Sequence, residues 1–400
     1  MPSRRTPPSL ATLILMTAVS LLSLNMFLPS LARMAEDFGT DYAIVNISVA
    51  GYLAVSAVLQ LIMGPLSDRY GRRPVLLTGL AVFAAASIGC LLATDIWLFL
   101  GFRLLQAAVV SASVLSRAII SDMYDKQTAA SLMGYVAMIM AIAPMMGPMA
   151  GGFLEQLIHW RASFAVYAVC GVLLLIACWV DVGETNLHPS ETFAAQFRAY
   201  PELLRSRRFW GYSLCTAFSV GTFFIFLGGA PLAASAAFGM SPAWLGVGMG
   251  CTTAGFFLGN LVSGRFAARM QLSQMMAIGR IVTLAGLGAG AALMAAGLFH
   301  PVTFFASVVS VGIGNGLSLP SGNAGAMAVR PRLAGSASGL SGAMQVGGGA
   351  ALTVLAGVLV TEENGIAILM TLLMLCALAG LVVALYVLRL DRTEPLPDLS

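Results

Sequence analysis

Gly64-Pro65-Leu66-Ser67-Asp68-Arg69-Tyr70-Gly71-Arg72-Arg73-Pro74 interrupts a chain that is otherwise mostly apolar. Four charges, Asp68, Arg69, Arg72 and Arg73, crowd between two long apolar runs. A charged, glycine-rich interruption of this kind belongs at a membrane surface, where it joins two spanning segments. The composition of the whole chain agrees. Of 400 residues, 58% are apolar and only 10% charged, with a mean hydropathy of +0.89. A soluble domain carries about 25% charge, and no soluble core hides this much apolar surface. The expectation is an all-α polytopic membrane protein embedded in a lipid bilayer. The net charge is only +4, and the bases sit at the ends of apolar runs rather than along one stripe. That argues against a nucleic-acid partner and for control of topology.

A spanning helix needs roughly 20 apolar residues. Twelve such runs are read, near 10–32, 43–66, 75–94, 97–120, 130–153, 162–181, 208–232, 242–264, 273–298, 302–325, 335–361 and 365–388. The first run follows Arg4 and Arg5 and is too long for a cleaved leader, so it is read as a spanning helix. The loops after even-numbered runs and the two termini hold 17 of the 21 Lys/Arg residues, counting Arg117 with its neighbouring loop. The opposite loops hold only Arg33 and Arg161, beside the acids Glu36, Asp37, Asp41, Asp95, Glu155, Glu362 and Glu363. This asymmetry predicts that both termini are cytoplasmic.

The longest polar interval separates runs six and seven. It predicts an N-terminal six-helix bundle at 1–181, a cytoplasmic linker at 182–207, a C-terminal bundle at 208–390 and a cytoplasmic tail at 391–400. A short amphipathic surface helix is expected at Phe193–Leu204. The halves echo each other at a displacement of 200 residues. Gln60-Leu61-Ile62-Met63-Gly64 meets Asn260-Leu261-Val262-Ser263-Gly264, and Arg69 meets Arg269, whereas Asp68 meets Ala268. Two parallel repeats with a site between them at mid-membrane is a transporter plan. The six cysteines all fall inside apolar runs without a CxxC pair, and the three histidines are scattered near loops. Neither pattern suggests a metal or a cofactor.

Twelve runs, a central linker and this turn after run two together resemble the major facilitator superfamily over the whole chain. Arg103-Leu104-Leu105-Gln106 is similar to that family's R-x-x-Q-G motif, with Ala107 in place of the glycine. Ala143 to Gly152 in run five is similar to the G-P-x-x-G-G signature of the proton-coupled drug antiporters with twelve spans. Leu28-Pro29, Arg117 to Asp122, Phe223 to Phe226 and Ala230-Pro231 look like the bicyclomycin/chloramphenicol resistance branch. The resemblance implies exchange of a small-molecule drug for protons by a monomer in a bacterial inner membrane.

The motifs have physical readings of their own. Ala143, Gly147 and Gly151 lie four apart, so they share one helix face that another helix can approach closely. Pro144 and Pro148 remove backbone donors. Together with Gly152 these residues are expected to form a pivot that seals one end of the path, and Gln345 to Gly349 is the paired position. Arg103 either snorkels to the outer interface or faces a cavity with Gln106 one turn on. Arg280 is expected to snorkel or to lie inside. In the resemblant branch the position of Asn25 is commonly acidic. Asn25 cannot titrate, and no Asp or Glu lies deep inside any run; the nearest are Asp95, Asp122, Glu155 and Asp181.

The expected cavity is lined by Asn25, Tyr52, Arg103, Gln106, Phe223, Phe226, Phe256, Asn260, Asn315 and Gln345, which suits an uncharged amphipathic compound better than a sugar or a dication. In the opening stretch, Gly64 is expected to end run two. By resemblance its neighbour is run eleven, whose N-terminus near Ala334-Gly335-Ser336 would attract Asp68. Arg72 would bridge to Asp122. Gly64, Asp68, Arg69, Gly71, Arg72 and Asp122 thus form an expected conformational latch. The expected function is efflux of drug-like compounds by alternating access, in exchange for protons. The alternative is a metabolite exporter or facilitator with weak or no proton coupling. No nucleophile–base constellation suggests an enzyme.

Overall fold

Inside a bilayer every backbone amide must find its partner within the chain, so long apolar runs become helices. A computed structural model describes residues 8–124, 132, 143, 146–186, 200–266, 269–330 and 333–393. Among these, eleven helices are long and apolar enough to cross a membrane. Their bounds differ from the predicted runs by a few residues, and no strand occurs among the described residues. Run five is described mainly as a helix over 146–157. Pro144, Ala268 and residues 193–199 of the expected surface helix lie outside the described residues.

Two helices are broken where the sequence places special residues. The first, Leu10–Asn25, gives way to a tight 3-10 turn at Leu28–Ser30, where Pro29 has no amide to donate, and resumes as Leu31–Phe38. The fourth runs from Ile96–Gln106 through a 3-10 turn, Ala107–Val109, into Val110–Met123.

The second helix corrects the reading of the opening stretch. Gly64 does not end it. Tyr42–Tyr70 is continuous, with Pro65 inside it, and the third helix begins at Arg72. Only Gly71 separates them, at φ 96°, a left-handed conformation that glycine adopts without a Cβ clash. The eleven-residue interruption is therefore a polar helix end plus a one-residue hinge.

The chain divides into two units. Unit 1 comprises Met1–Ala195 with Ser241–Val247, and unit 2 comprises Gln196–Met240 with Gly248–Ser400. Ser241–Val247, at the start of the eighth span, groups with unit 1 although the sequence places it in the C-terminal bundle. In unit 1, Phe27, Phe38, Phe99, Trp160, Phe164 and Tyr167 form a chain of ring contacts with centroids 5.2–5.9 Å apart. Trp160 Nε1 donates to Asp37 at 2.7 Å, tying the sixth span to the end of the first.

In unit 2, the eighth and tenth spans meet backbone to backbone. A side chain on Gly255 or Gly259 would collide with the tenth span, and one on Gly312 or Gly316 with the eighth. In the described end of the linker, Tyr200–Leu204, one residue packs inward while Pro201 and Leu204 stay exposed. Leu203 is buried against Phe209, Tyr212 and Val387, and Glu202 meets Arg330 at 3.1 Å.

Candidate functional site

The residues singled out in the sequence fall into three places. The first is the hinge at Gly71. Arg72 lies at the N-terminus of the third span, and its guanidinium pairs with Asp68 one turn back and with Asp122 Oδ2 at 3.0 Å. It also donates to Ser67 Oγ at 2.5 Å, whose hydroxyl donates to the Gly64 carbonyl. The Arg69 guanidinium lies 5.4 Å from the centre of the Tyr70 ring.

The strongest element of this site was absent from the sequence reading. Glu184, just past the sixth span, accepts from the backbone amides of Arg72 at 2.9 Å and Arg73 at 3.2 Å. It therefore caps the third helix, satisfying amides that have no partner inside the helix and placing negative charge at the positive dipole end. A Cβ on Gly71 would meet the movable end of the Glu184 side chain, so it is the φ of 96° that calls for glycine here. Asn186 Nδ2 donates to the Asp68 carbonyl at 2.7 Å, and Thr185 Oγ1 to Asp122 at 3.3 Å. Arg73 donates to the Trp179 carbonyl at 2.8 Å. The segment after span six thus clasps the hinge. An acid shortly after an apolar run was the available signal, but nothing local pairs it with a turn more than a hundred residues earlier.

The second place is the end of the first span. Asn25 is buried and donates to its own helix at Leu21 O, 3.0 Å away. Gly147 of the fifth span sits against it: a Cβ there would lie 3.2 Å from Asn25 Cβ. One turn on, a side chain on Gly151 would run into the Met26 carbonyl, and one on Gly152 into the Pro242 carbonyl. The glycine face of run five is therefore occupied by the first span and by the start of the eighth, within unit 1. Pro148 is buried beside it, and a side chain on Gly246 would meet its carbonyl.

The third place is the interior of each unit. In unit 1, Tyr52, Arg103 and Gln106 come together with no exposed charge. Arg103 has 0% of its surface exposed, so it neither snorkels nor presents an open face. Its Nε donates to Ser48 O at 3.2 Å, Nη1 to Gln106 Oε1 at 2.7 Å and Nη2 to Ser23 O at 2.9 Å. The Phe27 and Tyr52 rings lie 4.4 and 4.2 Å from its guanidinium carbon. Gln106 passes the chain of bonds to Ser87 at 2.8 Å, and Tyr52 shares a 2.8 Å bond with Ser23.

In unit 2, Asn315 accepts from Arg280 at 2.7 Å, again without exposure of the arginine. Phe226 is buried against Phe304 and Phe305, centroids 6.4 and 6.3 Å away, so it is a core residue of its unit. Phe223, Phe256, Asn260 and Gln345 are half-buried. Gln345 Nε2 donates to Asn323 Oδ1 at 3.0 Å and to Ser341 at 3.2 Å. Gly349, in the same motif, packs on the Phe224 ring.

Three of the four acids nearest a span are used structurally. Asp95 caps the fourth span through Trp97 N and Leu98 N, Asp181 accepts from Ser9 N and Thr12 Oγ1, and Asp122 holds Arg72. Glu155 is half-buried. No group of His, Cys, Asp or Glu among the described residues has metal-binding geometry, and all six cysteines are free.

Apolar spans arranged in two units, each with a buried arginine, and a charged hinge between spans two and three define a multi-pass membrane transporter. Residues 13–353 match the Major Facilitator Superfamily, and the chain belongs to that family. A chloramphenicol resistance protein of Pseudomonas aeruginosa is 33% identical over 226 residues, 55% of this chain and 54% of the relative. The multidrug transporter MdfA of Yersinia pestis (strain Angola) is 27% identical over 307 residues, 76% of this chain and 75% of the relative. The fold is shared with the crystal structure of a bacterial homolog to the human lysosomal transporter Spinster, at TM-score 0.74 and 16% identity over 98% of both chains.

Proposed function

We propose that this protein is a secondary active efflux transporter that exports small amphipathic compounds of the phenicol or bicyclomycin type. It does so by alternating access in the bacterial inner membrane, in exchange for protons, with both termini cytoplasmic and a monomer as the working unit. The observation that carries this reading is the fifth-span glycine face seated on Leu22, Asn25 and Met26 of the first span. A helix without side chains at its contact face slides and re-seats at little steric cost, as a pivot requires. The names of the chloramphenicol and multidrug relatives support the substrate class. The half-buried Phe223, Phe256, Asn260 and Gln345 supply ring faces and amides suited to an uncharged, weakly polar compound.

A second reading, a metabolite exporter or facilitator with weak proton coupling, is favoured by Asn25 alone, an amide where a titrating acid would serve coupling. Transport of a phenicol into reconstituted inverted vesicles, with and without an imposed pH gradient, separates the two. Gradient-driven uptake supports the antiporter; uptake indifferent to the gradient supports the facilitator; no uptake of any drug-like compound overturns the substrate class. Asn25→Asp should add or steepen pH dependence.

The hinge acts as a latch rather than a substrate site. Asp68 and Asp122 hold Arg72 from two sides while Glu184 fixes the helix that carries it. Asp68→Asn should lower transport several-fold while leaving substrate affinity within twofold, read by transport and equilibrium binding on one preparation. Loss of binding would sink the latch.

A further inference from the structure

We propose that Arg117 receives an anionic group of the exported compound, so that the substrates extend from neutral phenicols to amphipathic carboxylates; this rests on the efflux reading above. Arg117 lies in Val110–Met123, the second half of the fourth span, about 9 Å before its end. Its Nε donates to Ser113 O at 3.2 Å, one turn back on the same helix. None of the ion pairs among the described residues involves it. A guanidinium keeps its proton and presents its N–H donors as a planar fork. Here only Nε is used, on a carbonyl of its own helix, and neither Nη1 nor Nη2 has an acceptor among the described residues.

The geometry of the span fixes which way this charge faces. Arg103 and Arg117 are fourteen residues apart, close to four turns, and the 3-10 turn between them shifts the phase by only about a sixth of a turn. Both therefore lie on one side of the fourth span. At Arg103 that side is closed by Ser23 and Phe27 of the first span and by Ser48 and Tyr52 of the second. The exposed Leu98 and Leu105 stand about 150° round the helix from Arg103, on the side that acyl chains would cover. The flanks are taken by protein: Ser116 Oγ meets Thr17 Oγ1 of the first span at 3.2 Å, and a Cβ on Gly79 of the third span would strike Ser111. Arg117 thus faces away from lipid.

Its surroundings are those of a recess. The side chain is exposed, yet the protein around it desolvates the charge. Both hold at once for a group that lines a hollow, and not for one on a convex surface. A base in such a place faces a water-filled path rather than hydrocarbon. The positive-inside pattern puts this end of the fourth span on the cytoplasmic side, where an exporter collects its substrate. A carboxylate on a flat apolar molecule suits the unused Nη pair, which can hold both of its oxygens.

Equilibrium binding to the purified full-length protein tests the proposal with a matched pair, chloramphenicol and its hemisuccinate ester, which adds one carboxylate to the same scaffold. At neutral pH the ester should bind about tenfold more tightly than the parent, the worth of one charge-assisted contact. Arg117→Gln should bring the two affinities within twofold of each other. Arg117→Lys, which keeps the charge and loses the planar fork, should fall between. Because Arg117 bonds only to its own helix among the described residues, both variants should fold. Equal wild-type affinities for the two compounds overturn the proposal while leaving drug efflux standing, and so does an ester preference that survives Arg117→Gln. Binding of neither compound overturns the proposal together with the substrate class on which it rests.

Discussion

Arg103 and Arg280 are both wholly buried, one in each unit, yet they are accommodated in opposite ways. Arg103 meets two backbone carbonyls, one side-chain amide and two aromatic faces. Arg280 meets one amide and one distant hydroxyl, with a nitrogen left over. The same residue type is a finished structural centre in one unit and an unfinished one in the other. What distinguishes them is the supply of acceptors around the charge, because depth is the same. A guanidinium surrounded by helix carbonyls and rings has exchanged water for fixed dipoles, and nothing further has to move or bind.

If that contrast is right, truncating the finished centre is the costlier change. Arg103→Met keeps the volume but removes three charged hydrogen bonds and two ring contacts, and leaves Gln106 Oε1 buried without a donor. The loss should be about 3 kcal/mol, since a buried acceptor left unpaired costs about 1–3 kcal/mol and the helix carbonyls keep their own backbone donors. Denaturant unfolding of the detergent-solubilised protein reads it. A loss under about 1 kcal/mol would mean that the shell around Arg103 is ornamental.

Gln106→Leu sharpens the same point at smaller scale. It removes one charge-assisted bond of 2.7 Å and the link to Ser87, whose hydroxyl retains Phe83 O at 2.7 Å. The expected cost is about 2 kcal/mol. In the Arg103→Met background the same substitution should cost far less, because the residues act as a unit. Additive effects would show that Gln106 does its work through Ser87 alone.

How much of this was legible in the chain follows from the range of each interaction. Apolar runs fix spanning helices because the bilayer leaves a backbone no other choice, and twelve runs with a polar interval at the midpoint suffice to propose two halves. The end of the second span was misjudged because Pro65 and the polar Ser67-Asp68-Arg69 look like a loop. A bonded polar helix end, with Ser67 on the Gly64 carbonyl, has the same composition. Asn315 and Arg280 were each noticed, one as a cavity residue and the other as a snorkelling base, but their pairing is tertiary. Glu184 at the hinge and the carbonyls of Ser23 and Ser48 around Arg103 were out of reach for a further reason. A backbone acceptor leaves no trace in the residue type that carries it, and a capping acid in a linker looks like any solvated charge.

The smallest expected effect breaks or makes the comparison most sharply. Arg280→Met removes a charge that this chain satisfies poorly, so the lost bond to Asn315 is offset by relief of the unmatched guanidinium. The net change should be about 1 kcal/mol or less, of either sign, because replacing a poorly paired buried charge with an apolar side chain is often neutral. An Arg280→Met cost that matches Arg103→Met in denaturant unfolding would mean that the two centres are equally complete, with Nη1 served by the chain itself.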